Sequence, residues 1–67
     1  MDKERIAETL RELRKTKGVS AAEVGKACGI GASAILNYEA GTRIPEDEIK
    51  IRLAKYYKKT VQSIFFK

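Results

Sequence analysis

Apolar residues recur along the chain at helical spacing. Ile6, Leu10 and Leu13 fall at i, i+4 and i+7, one face of a helix with a 3.6-residue period, and they predict a first helix from about Lys3 to Thr16. Glu4, Glu8 and Glu12 lead this segment, and Arg14, Lys15 and Lys17 follow, an order that complements the helix dipole. Gly18 supplies the left-handed residue that ends it.

The next stretch, Ser20 to Gly41, holds two helical patterns too short to stand alone in water. Ser20-Ala21-Ala22-Glu23 reads as a capping box, with Val19 and Val24 at the two staple positions around it. Val24 and Cys28, flanked by Ala21 and Ala27, form the expected buried face. Gly25 costs helix stability against Ala, so the close approach of another helix is the expected reason for it. Gly29-Ile30-Gly31 is the turn, with Gly29 free to take positive φ and Ile30 as an apolar plug. A further helix is predicted from about Ala32 to Ala40, with Ile35 inward beside Val24 and with Tyr38 and Glu39 toward the body. That leaves Ala32, Ser33, Leu36 and Asn37 outward, and Gly41 ends the helix. Two short helices meeting across a glycine turn read as a helix-turn-helix.

After a loop at Thr42-Arg43-Ile44, Pro45 is expected to open a fourth helix from its first turn. Glu46, Asp47 and Glu48 suit that N-terminus. Ile49, Leu53 and one of Tyr56 or Tyr57 continue the apolar face. Lys50, Arg52, Lys55, Lys58 and Lys59 make the rest basic, and a solvated face is the expectation for them. Thr60 caps a last short helix, Val61 to Phe65, with Val61, Ile64 and Phe65 on one side and Phe66 left over.

Length and composition narrow the function. With 67 residues, one domain spanning 1–67 is expected, its core small. Hydrophobic residues make up 43% and charged residues 34%, too apolar for a disordered chain. A net charge of +5 permits a polyanionic partner and equally fits a lysine-rich solvated surface. Cys28 is the only cysteine and there is no histidine, which excludes an intramolecular disulfide and argues against a zinc site or any other metal centre. A free thiol suits a reducing cytoplasm, and Cys28 itself reads as a small core residue. No apolar run is long enough for a membrane span, and the charged start lacks a signal-peptide core.

Taken in order, Leu10-x-x-Leu13-Arg14, Val19-Ser20-x-x-Glu23-Val24, Cys28-Gly29-Ile30, Ile35 and Tyr38-Glu39-x-Gly41-x-x-x-Pro45 resemble the Cro/C1-type (phage-repressor-like, XRE) helix-turn-helix family over nearly the whole chain. The resemblance implies an all-α, five-helix lambda-repressor-like domain with its helix-turn-helix core at 20–41. It implies a transcriptional regulator that binds double-stranded DNA, with the third helix in the major groove. By motif position, Ala32, Ser33, Leu36 and Asn37 would face the bases. Ser20 and the amide of Ala21 would meet a phosphate, and Thr42 and Arg43 would follow the backbone. Arg14 would pair with Glu39 in a structural role, which agrees with the need of a buried carboxylate for a partner. Asn37 is the bidentate reader of the set, suited to adenine, with Ser33 as a weaker helper and Leu36 or Ala32 suited to a thymine methyl. Glu46-Asp47-Glu48 would repel phosphates if it faced them.

A homodimer is expected, because one small domain reads few base pairs. The C-terminal region, Tyr56, Tyr57, Phe65 and Phe66, is the expected surface for it. The alternative function is a protein-interaction module on the same scaffold, motivated by the small-residue outer side of Ala32, Leu36 and Ala40. An enzyme is not expected: the chain lacks His, has no phosphate-cradling glycine loop, and spreads its carboxylates along helix ends. No cofactor and no small-molecule ligand is evident.

Overall fold

The computed structural model describes residues 2–66. Five helices follow one another: α1 (Lys3–Lys17), α2 (Ala21–Cys28), α3 (Ala32–Ala40), α4 (Asp47–Tyr56) and α5 (Val61–Phe65). Among the described residues there is no strand, so the fold is the small all-α helix-turn-helix architecture anticipated from the sequence.

The helices start where side chains can take their free amides. Asp2 caps α1, its carboxylate accepting from the amides of Glu4 at 3.0 Å and Arg5 at 3.2 Å. Ser20 caps α2 through a complete box: Glu23 N–H donates to the Ser20 hydroxyl, and Ser20 N–H donates to the Glu23 carboxylate, both at 3.1 Å. The Thr60 hydroxyl accepts from the Ser63 amide at 3.0 Å and starts α5. Such caps contribute about 1 kcal/mol each, which matters for helices as short as α2 and α5.

One core draws on every element. Ile6 and Leu10 come from α1, Val24 and Cys28 from α2, Ile35 and Tyr38 from α3, Leu53 and Ala54 from α4, Tyr57 from its end, and Ile64 and Phe65 from α5. α3 packs against α2 and α1, α4 against α2 and α5, and α5 against α1. Burying one large apolar side chain contributes roughly 1.5–3 kcal/mol, so a few such residues per helix hold segments that could not persist alone.

Several expectations are corrected. Ala27 is exposed; the buried stripe of α2 leans from Val24 and Cys28 toward Gly25, a helical wheel position away from Ala27. Gly25 is buried for a reason other than a neighbouring helix. A Cβ there would stand 2.7 Å from the Ile30 carbonyl oxygen and 3.0 Å from the Gly31 carbonyl carbon, and Ile30 N–H donates to Gly25 O at 2.8 Å. The turn itself folds back onto this glycine. Pro45 does not lie in the first turn of α4. It is buried one residue before the cap, Glu46, and the helix begins at Asp47. Both tyrosines at the end of α4 contribute, Tyr57 buried and Tyr56 half-buried, their rings edge-to-face at 5.1 Å.

The basic run of α4 is only partly solvated. Lys50 is buried, its ammonium 3.4 Å from Asp47 and over the rings of Phe65 and Phe66 at 5.9 and 5.1 Å, so its stem is sheltered while its charge finds a partner. Arg52 donates to Cys28 O at 3.0 Å and pairs with Glu48, so it closes the C-terminal end of α2. Lys55, Lys58 and Lys59 are exposed, as anticipated.

The expected dimer surface is corrected in the same way. Tyr57 and Phe65 lie in the core of the protomer itself, Tyr57 showing only an edge in a groove beside α1, while Phe66 is 56% exposed and Tyr56 half-buried. Helix ends show one further irregularity. α1, α2 and α3 stop at Gly18, Gly29 and Gly41, all at left-handed φ of 72–78°. Just past the end of α4 the same left-handed region is occupied by Lys58, at φ 56°.

Candidate nucleic-acid interface

α3 is clamped from behind. The Arg14 guanidinium meets the Glu39 carboxylate through Nε at 2.8 Å and Nη2 at 3.0 Å, and its Nη1 donates to Val19 O at 3.2 Å. One α1 side chain therefore joins the last turn of α3 to the entry of α2. Glu39 is 5% exposed, and the two-pronged pair supplies the charge-assisted bonds a buried carboxylate requires. Donating to the Glu39 carboxylate raises the Arg14 pKa above its ordinary value. Arg11 adds a bond to the Glu39 carbonyl oxygen. Arg11 lies three residues before Arg14, which puts both on one face of α1. Arg52, closing α2 from the other side, was missed, although Glu48 lies one turn before it.

The front of α3 is open. Ser33, Leu36 and Asn37 are exposed, Leu36 by half of its surface, and Ala32 is half-buried at the first turn. Ala40 is also exposed and continues the apolar edge of Leu36. Gly31 precedes α3 without any side-chain cap, so its first amides stay available.

Asn37 does not hang free. The Thr42 hydroxyl lies 3.1 Å from Asn37 O and 3.3 Å from Asn37 Oδ1, and Thr42 N–H donates to Asn37 O at 3.1 Å. The hydroxyl can donate to the amide oxygen and fix the plane of the side chain, with the NH2 group turned away. An amide oxygen has a second lone pair, so a so-held Asn37 keeps the donor and acceptor that adenine recognition needs. Arg43 is exposed and stacks its guanidinium 5.9 Å from the centroid of the Tyr38 ring, just past the end of α3.

At the start of α2, Ser20 is exposed and Ala21 half-buried. The box occupies the Ser20 oxygen and the Glu23 amide; among the described residues the Ala21 and Ala22 amides have no hydrogen-bond acceptor. Those two N–H groups and the positive end of the helix suit an anion. The acidic run before and within α4 is less repulsive than its sequence suggests. Asp47 is paired with Lys50, and Glu48 with Arg52, so among the described residues Glu46 alone of the three forms no ion pair.

Burial pushes the Cys28 thiol up from its ordinary pKa and does the same to the Tyr57 phenol, so neither is an activated nucleophile. Among the described residues, no group of acidic, cysteine or histidine side chains could hold a metal ion, and no helix is long and apolar enough to cross a membrane.

The sequence model of the helix-turn-helix domain family matches residues 5–61. Comparison with curated proteins and with solved structures gave no match.

Proposed function

The chain belongs to the helix-turn-helix domain family, and on that premise we propose that it is a sequence-specific, DNA-binding transcriptional regulator working in the cytoplasm as a homodimer. α3 enters the major groove and Asn37 reads an adenine edge, helped by Ser33 and by Leu36 or Ala32 against a thymine methyl. Ser20 and the Ala21 amide meet one phosphate, and Thr42 and Arg43 run along the backbone. The observation that carries this reading is the Asn37–Thr42 contact: the one bidentate side chain on the open face of α3 has its amide oxygen 3.3 Å from the hydroxyl of Thr42, the second residue past the helix. This gives Thr42 a positioning role in addition to a backbone one.

The test is selection of bound duplexes from a random pool, followed by fluorescence anisotropy at two salt concentrations. A recovered motif containing adenine, with affinity that falls steeply with salt, supports the reading. No binding at low salt overturns it. The half-exposed Leu36 beside Ala40 favours the second reading, a protein-docking module, and that outcome would bring it forward.

A further inference from the structure

We infer that the groove between α1 and the end of α4 is the contact between two copies of this chain, in which the Lys58–Lys59 corner of each copy sits on the Glu8–Glu12 wall of the other. The groove has a volume of about 530 Å³. α1 lines it with the exposed Glu8, Glu12 and Lys17, the end of α4 with the exposed Lys58 and Lys59, and the less exposed Thr9, Leu13 and Tyr57 lie between them.

Three observations meet there. The first is the backbone of Lys58. A left-handed conformation is strained for a residue with a side chain, and the three other such positions among the described residues are glycines. Within the protomer this conformation closes α4, Lys58 N–H donating to Lys55 O at 3.1 Å and Lys59 N–H to Ala54 O at 2.9 Å, and it turns out two ammonium groups that, among the described residues, form no ion pair. The second is the opposite wall. Glu8 and Glu12 lie one turn apart on α1, a like-charge spacing that destabilises a helix, and they too form no ion pair. The third is the apolar floor between two walls of opposite sign. A surface with one acidic and one basic side is complementary to itself under a two-fold axis, since each contact i to j recurs as j to i. The exposed Lys58–Lys59 corner supplies the basic side of that exchange. Lys17 takes no part in the charge exchange; its ammonium rests 5.0 Å from the centroid of the Tyr56 ring and lengthens the rim.

This assignment deepens the two-fold reading above and rests on it only for the reason a pair is needed. The experiment is sedimentation equilibrium of the full chain without DNA, from about 10 to 500 μM at low salt, a range suited to an interface carried by a few charge pairs. The expected result is a mass that approaches twice the monomer and falls back at high salt. Lys58→Gly is expected to raise Tm by about 4–8 °C, through relief of the left-handed strain, and to weaken association about tenfold by removing both symmetric contacts. The charge-reversed pair settles the geometry. Lys58→Glu with Lys59→Glu in one variant, and Glu8→Lys with Glu12→Lys in another, each leave a monomer; an equimolar mixture associates as a heterodimer. All four residues are exposed, so both variants are expected to fold, which their thermal melts check. A strict monomer throughout, a dimer indifferent to these changes, or a mixture that fails to associate overturns the assignment. A monomer that still binds duplex DNA overturns it while leaving the DNA-binding reading in place.

Discussion

The α2–α3 pair has two sides built to different rules. Behind it, among the described residues, no fully buried side-chain nitrogen or oxygen is left without a partner. Glu39 is held by Arg14, the turn closes on Gly25, and Arg52 seals the end of α2. In front, Ser33, Leu36 and Ala40 make no such contacts, and only Asn37 is tied down, by a single hydroxyl. The rear side determines where α3 lies; the front determines what it touches. Low dielectric separates the two, because an unpaired group behind the helix is desolvated and one in front is not.

Substitutions should therefore act on one side at a time. The largest effect is expected from Arg14→Ala, which strands Glu39 without a cation. Breaking a fully buried pair costs about 3–5 kcal/mol. The Arg14 side chain is 28% exposed, and solvent screening lowers the expected loss to about 2–3 kcal/mol, measured by urea unfolding. Gly25→Ala comes next. Its Cβ would press on the Ile30 carbonyl, at a cost of about 1–3 kcal/mol, and because the turn must shift, DNA affinity should fall with Tm.

Alkaline pH probes the rear side without mutation. Tyr57 and Cys28 have raised pKa values, both chiefly through burial. In the unfolded chain they lose protons near their ordinary values of about 10 and 8.5, while in the folded chain they keep them longer. The unfolded state then binds fewer protons, so stability is fully present below about pH 8.5 and falls as pH rises beyond it. Tyr57→Phe should flatten that fall in a series of thermal melts, with little change at neutral pH.

The smallest effect on stability is expected on the front. Asn37→Ala should leave Tm within the range of an exposed substitution, about ±0.5 kcal/mol. It should nevertheless remove about 1–3 kcal/mol of discrimination at one base pair, read by anisotropy on matched and mismatched duplexes. A Tm loss like that of Arg14→Ala would show that the two sides are not separable.

Most of the rear side was legible in the chain. The capping box at Ser20, the glycine turn, and the inward Ile35, Tyr38 and Glu39 follow from local chemistry and a 3.6-residue period. The misreadings share one cause. Lys50 and Arg52 were read as solvent-facing because their charge says so, yet each found a carboxylate or carbonyl on a neighbouring turn or helix. Tyr57 and Phe65 are expected at a subunit contact as well as on the apolar faces of their helices, and the core used both. Of the front, the outward residues could be named, but the bond from Thr42 to Asn37 could not, since it depends on how the chain turns after Gly41.

By itself the sequence determined where helices begin and end, which stripe of each is apolar, and that two of them meet at a glycine turn, because caps, periodicity and left-handed stops act within a few residues. Only the tertiary structure decided that Gly25 yields to the turn's own backbone, that α4 reaches back to close α2, and that Lys58 holds a strained corner beside an acidic wall. Those features arise where segments distant in sequence become neighbours, and there desolvation and available space, rather than local preference, choose each partner.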